Sequence, residues 1–405
     1  MRVKIEQSKP IGIVKAPPSK SMAHRLLICA GLASGKSRIT GIAPSQDVLA
    51  TIDCLRAIGA QCHYEGDVVE IEGVDARRMQ INDTLPCREC GSTLRFFIPI
   101  ALLSSDTARF TGSERLMERP LGVYEQICRE RGLRYEREGN TLSVQGRLPS
   151  GVYEVAGNIS SQFISGLLFA LPLLEGDSEI HLMGGVESRA YIDLTLSAMS
   201  QFGVAAEWSA KDVLFVKGGQ RYCPREAVVE GDYSNAAFLE ALNLVGGDVR
   251  VEGLSPESLQ GDRVYLRYFR ELAEGFAALD VAECPDLAPI LMAVAAECHG
   301  ARLTGTARLR LKESDRGVVM AEELARLGAK VEVGEREITV HPSELFAPRE
   351  CLSGHNDHRI VMALSVLLVR YGGEIEGAEA VAKSMPDFFE ILETVGVHVN
   401  RYDIG

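Results

Sequence analysis

A helix that closes on glycine and runs into a short hairpin recurs along this chain, and that repeat constrains the fold more than any other feature. In the first copy a helical pattern over residues 50–59 ends at Gly59, and alternating runs over 60–64 and 68–73 flank a turn at Glu65-Gly66-Asp67. Glycine after a last helical turn supplies the left-handed cap, and the period of two that follows predicts strands. Further copies cover 123–146 around Gly132, 194–218 around Gly203, 320–342 around Gly328 and 388–403 around Gly396. A copy is also expected near 268–281, where residues 268–276 read as helix and no hairpin follows.

Apolar runs at 163–174, 236–245, 287–297 and 359–369 predict buried helices between the hairpins. Each repeat therefore reads strand, helix, strand, helix, hairpin, and six of them make two domains of three. The 405-residue length agrees, since one core rarely grows beyond roughly 250–300 residues. The boundary falls near residues 228–232, where Glu230-Gly231-Asp232-Tyr233-Ser234-Asn235 restarts a capped helix. The period is too long for a solenoid and predicts globular duplication.

The net charge of -13 opposes a general nucleic-acid binder and makes any basic cluster notable. No run approaches the roughly 20 apolar residues of a membrane span, and the first residues carry no signal-peptide core. Ten scattered cysteines are expected to be reduced thiols, in the cytoplasm. Several motif cues are weak. Gly31-Leu32-Ala33-Ser34-Gly35-Lys36-Ser37 lacks the first glycine of a nucleotide phosphate loop. Cys87 and Cys90 have no second pair for zinc. His355 and His358 read as a polar loop entering a helix. No metal site and no cofactor are expected.

Basic and hydroxyl residues instead gather at helix starts, where free N–H groups and the dipole attract anions. Pro17-Pro18-Ser19-Lys20-Ser21-Met22-Ala23-His24-Arg25 is the densest case: Ser19 is expected to cap a helix, with Ser21 and Arg25 on one face. Gly91-Ser92-Thr93-Leu94-Arg95 and Asn158-Ile159-Ser160-Ser161-Gln162 precede apolar helices, and Arg119 stands before a helix-starting Pro120. Arg310-Leu311-Lys312-Glu313-Ser314-Asp315-Arg316 is expected to set Lys312 and Arg316 on one helical face. Asp357-His358-Arg359 and Lys383-Ser384-Met385-Pro386-Asp387 repeat the theme. Each alone fits a solvated cap; their recurrence fits an anion site.

In this order, the SKS-x-x-x-R, GST-x-R, ERP, SSQ, KESDR, DHR and K-x-x-PDF stretches resemble the 3-phosphoshikimate 1-carboxyvinyltransferase (enolpyruvylshikimate-phosphate synthase) family of enolpyruvyl transferases, from Lys15 to Asp387. The resemblance implies an α/β fold of two inside-out α/β barrels with inward helices. The expected domains are residues 15–229, and residues 1–14 with 230–405, the fourth repeat being shortened. It implies transfer of the enolpyruvyl group of phosphoenolpyruvate to the 5-hydroxyl of shikimate 3-phosphate, on the way to chorismate and the aromatic amino acids. Its partners would be these small anions alone, with no nucleic acid or membrane, and the chain a monomer.

Carried over by motif, Lys20, Ser21 and Arg25 would meet shikimate 3-phosphate, as would Ser160, Ser161, Gln162, Ser188 and Tyr191. Phosphoenolpyruvate would lie against Lys20, Gly91, Arg119, Gln162, Arg316, Arg359 and Lys383. Asp286 matches the carboxylate near the attacking hydroxyl, Lys312 would sit between the substrates, and Glu313 is the other acid/base candidate. Lys20, Asp286 and Glu313 are thus the expected catalytic residues. Two substrates carrying four anionic groups need several fixed cations, and Lys and Arg supply the field without a metal. Departures from the family are Glu89-Cys90, where many relatives have Asn-Ala, Arg308 where many have asparagine, and the missing hairpin. The rival acting on UDP-N-acetylglucosamine has Lys-Asn where this chain has Lys20-Ser21, and a loop cysteine that residues 113–120 lack. A catalytically silent anion-binding paralogue stays open.

Overall fold

A computed structural model describes residues 1–81 and 83–402, Arg77 by its backbone alone. Asp403, the expected end of the last hairpin, lies outside the described residues. The chain divides into two compact units: residues 20–230, and residues 1–19 together with those from 231 onward.

Within residues 20–230 three sheets have four strands each, and all three share one plan. The sheets run Glu226–Val228, Gly35–Thr40, Val68–Gly73, Gln61–Glu65; then Leu85–Pro86, Ala108–Thr111, Thr141–Gln145, Arg134–Glu138; then Val152–Ala156, Ser178–Met183, Val213–Val216, Ala206–Ala210. In each, the first pair is parallel and the hairpin antiparallel. Parallel neighbours need a crossover, and helices supply it. Gly59, Gly132 and Gly203 enter the hairpins at φ 101, 66 and 77°, a left-handed backbone that favours glycine.

No ladder joins one sheet to another among the described residues, so the strands of each unit form separate sheets rather than one closed barrel. The helices Lys20–Gly31, Gly91–Ala101 and Ser161–Ala170 are buried along nearly their whole length, as expected of helices apolar all round. The strands bury one face only, as the alternation in Ser178–Met183 shows. At Gly166 a Cβ would stand 2.3 Å from the Tyr124 hydroxyl and 2.5 Å from the Arg95 carbonyl oxygen. A side chain there would push the Gly91–Ala101 and Ser161–Ala170 helices apart.

The other unit repeats the plan with two changes. Its complete sheets are Ala277–Asp280, Ala301–Thr304, Glu337–Val340, Val331–Val333, and Leu352–Ser353, Gly373–Glu376, Arg2–Ile5, Val399–Tyr402. The second corrects the expected hairpin over 388–403. Val399–Tyr402 pairs antiparallel with Arg2–Ile5 at the far end of the chain, because Val3 and Ile5 carry the buried alternation that closes this sheet. The third sheet has two strands, Asp248–Glu252 parallel to Ile11–Lys15. As expected, no hairpin follows its helix Tyr265–Glu274: Gly275 is extended at φ 170° and the chain passes directly into Ala277–Asp280. The edge left open is blunted by the Asn243 side chain, whose Nδ2 donates to the Val249 carbonyl (2.8 Å) and whose Oδ1 accepts from the Val249 N–H (2.7 Å). Among the described residues no helix is long and apolar enough to cross a membrane.

Candidate active site

In residues 20–230 the candidate residues other than Arg119 stand at or within two turns of helix starts, where the sequence expects them. Lys20 opens Lys20–Gly31, and its Nζ donates to Asp47 Oδ2 at 2.7 Å. Arg25, one turn on, is 3 % exposed. Its Nη1 donates to the Ser21 carbonyl (2.6 Å), its Nη2 to the Tyr191 carbonyl (2.9 Å) and its Nε to Thr195 Oγ1 (2.8 Å). Burial lowers the Arg25 guanidinium to about 10, still charged at neutral pH. Ser21, Arg25 and Tyr191 are therefore brought together, with the guanidinium as their tie. Ser188 precedes Arg189–Gln201 at φ 59°, a left-handed backbone unusual outside glycine, and is buried.

Ser160 caps Ser161–Ala170 by accepting from the Gln162 N–H. The Gln162 side chain accepts from Arg95 Nη1 (2.8 Å) and donates to Ser92 Oγ (2.8 Å), so it is fixed between two helix starts. Gly91 opens Gly91–Ala101 after the Cys90 cap. A Cβ at Gly91 would stand 2.7 Å from Arg119 Nη1 and 2.8 Å from Arg95 Nη1. Two guanidinium groups thus converge on a helix N-terminus that carries no side chain, an arrangement suited to an anion. Arg119 ends the short helix Glu114–Glu118, and the next helix begins at Gly122, so Pro120 lies in a link instead of starting a helix.

In the other unit the candidates converge on carboxylates. Asp286 lies in the turn Pro285–Leu287 that opens the buried helix Ala288–Glu297. Its Oδ1 accepts from Lys312 Nζ (3.0 Å) and Arg316 Nη1 (2.7 Å), and its Oδ2 from Arg359 Nη2 (3.4 Å). Burial raises the Asp286 carboxyl, but Arg359, Lys312 and Arg316 outweigh it and hold the group well below the usual carboxylate range. Burial lowers the Lys312 ammonium, with Asp286 offsetting part of the effect. Arg316 is 1 % exposed. It donates to Asp286, to Glu313 Oε2 (2.8 Å), and through Nε (2.8 Å) and Nη2 (3.3 Å) to Asp357. Burial lowers its pKa, and Asp357, Glu313 and Asp286 more than reverse this and raise it. Lys383 Nζ donates to the Asn356 carbonyl at 2.6 Å.

One expectation fails here. Lys312 and Arg316 do not share a helical face: Lys312 is extended (φ -85°, ψ -164°) at the end of the turn Thr306–Leu311, and the helix begins at Arg316 behind its Asp315 cap. Asp315 accepts from the Val318 N–H, and that bond starts the helix too late to include Lys312. What unites Lys312 and Arg316 is Asp286 Oδ1, from a different segment. Arg308 donates to the Ala282 carbonyl.

Sequence reasoning passed over Asp47, Arg95 and Asp357. Asp357 lay in view within the DHR stretch and Arg95 within GST-x-R. Both were readable as loop or helix-face residues, and only the fold shows that they hold Arg316 and Gln162. Asp357 is fully buried, caps His358–Tyr371 by accepting from the Arg359 N–H, and also accepts from Ser314 Oγ (3.1 Å). Asp47 had no local signal at all, since its partner Lys20 lies in another helix.

Two units of helices enclosed by separate sheets, with basic residues at helix starts, define a duplicated α/β protein built to bind anions. The sequence model of EPSP synthase (3-phosphoshikimate 1-carboxyvinyltransferase) matches residues 5–392. The chain is 37% identical over 424 residues to the 3-phosphoshikimate 1-carboxyvinyltransferase of Clostridium kluyveri, covering 100% of this chain and 99% of the relative. It is 38% identical over 434 residues to that of Clostridioides difficile, with the same coverage. A solved EPSP synthase from Acinetobacter baumannii shares the fold at a TM-score of 0.80 and 23% identity, covering 99% of this chain and 100% of that one. The chain belongs to the EPSP synthase family.

Proposed function

We infer that this chain transfers the enolpyruvyl group of phosphoenolpyruvate to the 5-hydroxyl of shikimate 3-phosphate and releases phosphate, a step of aromatic amino acid biosynthesis. The observation that carries the reading beyond family membership is the Asp286 cluster: an ionised carboxylate within bonding reach of Lys312, Arg316 and Arg359. The chemistry needs both parts. Protonation of the methylene carbon of phosphoenolpyruvate leaves a cationic C2, the 5-hydroxyl attacks it, and the tetrahedral intermediate expels phosphate. A carboxylate must take the hydroxyl proton, and an acid must protonate carbon.

Asp286 is assigned the first role. Surrounded by three cations it is a reluctant acceptor, and it becomes basic as anionic substrates draw those cations to themselves. Glu313, held by Arg316, is the second acid/base group, and Lys20 contacts both substrates. Ser21, Arg25, Ser160, Ser161, Gln162, Ser188 and Tyr191 receive shikimate 3-phosphate together with Lys312. Gly91, Arg119, Gln162, Arg316, Arg359 and Lys383 receive phosphoenolpyruvate. The convergence of Arg95 and Arg119 on Gly91 supports this, and Arg95 is added as the residue that orients Gln162. The two compact units correspond in this reading to the two enolpyruvyl transferase domains. The chain works as a monomer in the cytoplasm; its ten thiols, all unpaired, support a reducing compartment.

Phosphate release from phosphoenolpyruvate, followed by a coupled assay, is the test. Release that requires shikimate 3-phosphate is the expected result. No release at saturating levels of both substrates points to a silent paralogue, and release with UDP-N-acetylglucosamine instead would reassign the acceptor.

A further inference from the structure

His24, Asp47 and Cys90 belong to three separate helices, Cys90 as a cap, yet a ligand atom of each lies within 4.8 Å of the other two, and all three side chains are buried. Nothing in the enolpyruvyl transfer uses His24 or Cys90. Cys90 and His24 are within reach of a weak sulfur hydrogen bond, and a small approach would make them two ligands of one ion. Cys90 Sγ stands 3.9 Å from His24 Nε2, long for a thiol donor. In a tetrahedral zinc site, with Zn–S about 2.3 Å and Zn–N about 2.0 Å, sulfur and nitrogen stand roughly 3.5 Å apart.

The surroundings also suit a ligand set. His24 Nδ1 is tied to Thr51 Oγ1 at 2.7 Å, and Thr51 to Thr93 at 2.8 Å, so Nε2 is the nitrogen left facing Cys90. Such a bond on the far nitrogen is what fixes the ring of a metal-bound histidine. Burial, helped by Lys20 and Arg25, lowers the His24 pKa well below the ordinary value, so the ring is neutral and carries a lone pair at physiological pH. Asp47 keeps 8 % of its surface in solvent, which gives an approach to the cluster. Imidazole, thiolate and carboxylate together select a borderline-soft divalent ion over magnesium or calcium.

We propose that His24 Nε2, Cys90 Sγ and one Asp47 carboxylate oxygen form a binding site for a divalent cation of the zinc class, and that its occupancy inhibits the enzyme. On loading, the Cys90 S–H bond breaks, a sulfur–metal bond forms, and one proton leaves to solvent. Asp47 now answers to the metal as well as to Lys20, which it holds at 2.7 Å, and a second positive charge stands beside that ammonium. Lys20 is thereby displaced from its working position. The inhibition rests on the role assigned to Lys20 above; the binding does not.

Cobalt(II) alone is the probe, titrated into the reduced full-length protein. The expected result is one cobalt per chain with a thiolate-to-cobalt charge-transfer absorption, and loss of the band in Cys90→Ala. Cys87→Ala, which alters the neighbouring thiol, keeps the band. Because Cys90 caps a helix, His24→Gln serves as a second variant; its amide can still reach Thr51, and it too must lose the band. No thiolate band in the parent, or an unchanged band in Cys90→Ala and His24→Gln, overturns the site. In the activity arm, zinc at loading concentration stops phosphate release by the parent and spares Cys90→Ala. Equal inhibition of both overturns the link to Lys20 while leaving the assigned reaction untouched.

Discussion

Arg25 and Arg316 are both buried arginines at the start of a helix, and their surroundings treat them in opposite ways. Arg25 is held by a hydroxyl and two backbone carbonyls, which orient the guanidinium without cancelling its charge. Burial then dominates and its pKa falls. Arg316 is held by three carboxylates, its charge is compensated, and its pKa rises. The same residue type thus builds a standing positive field in residues 20–230 and a set of closed ion pairs around Asp286. A standing field attracts an anion before any contact is made. A closed pair must be opened by the anion, and opening it changes the basicity of the carboxylate left behind. We read the first arrangement as recognition and the second as chemistry that switches on with binding.

Four experiments break or sharpen this comparison. The largest effect is expected from Asp286→Ala. Loss of a general base costs about 10²–10⁴-fold in turnover, and shikimate 3-phosphate binding should change far less. Turnover near the parent value at saturating substrates would move the proton-acceptor role to Glu313.

Next comes Lys20→Met set against Arg25→Ala. Lys20→Met should weaken phosphoenolpyruvate binding and slow the chemical step together, by about 10²-fold. Arg25→Ala should chiefly raise the KM for shikimate 3-phosphate, by roughly tenfold or more, as a lost charge-assisted contact does. If Arg25→Ala lowers kcat as strongly as Lys20→Met, the standing-field reading of Arg25 is wrong.

Asp357→Ala probes stability. It strips two bonds from a guanidinium that has no water to turn to, and breaking a buried pair costs about 3–5 kcal/mol. Asp357→Asn, which keeps an acceptor, should cost less. Chemical denaturation of both variants gives the ranking, and equal stability of Asp357→Ala and the parent would mean that Arg316 is held well enough by Asp286 and Glu313 alone.

The smallest effect is a pH slope. The His24 pKa is depressed in the folded chain, so the unfolded chain binds the proton first. Its contribution is complete above the unfolded value near 6.5 and is lost as pH falls below it, at no more than about 1.4 kcal/mol per pH unit. Asp286 is depressed too, but from a carboxylate value, so its contribution survives to about pH 4 and fades only below that. Stability should therefore decline as pH falls below about 6.5 through His24, and His24→Gln should flatten the decline. An unchanged slope in that variant would assign it elsewhere.

The sequence by itself determined the repeat. Period, cap glycines and apolar runs are local, and each unit reuses the same local rules, so the order strand, helix, strand, helix, hairpin could be read without a partner in view. It also determined which helix starts carry basic and hydroxyl groups, because those residues sit within one turn of the cap. Tertiary structure alone decided the pairings. The closing strand of the last sheet is Arg2–Ile5, nearly the whole chain away from Val399–Tyr402, and alternation marks a strand without naming its neighbour. Lys312 and Arg316 were four apart and read as one helical face, yet the Asp315 cap puts only Arg316 in the helix. Above all, the electrostatic fate of each cation was undecided. Arg25 and Arg316 look alike in sequence, and what separates them is whether the acceptors brought to them from distant segments are carbonyls or carboxylates. Local spacing fixes conformation over a turn or two, whereas charge compensation is set by whatever the fold packs against a side chain.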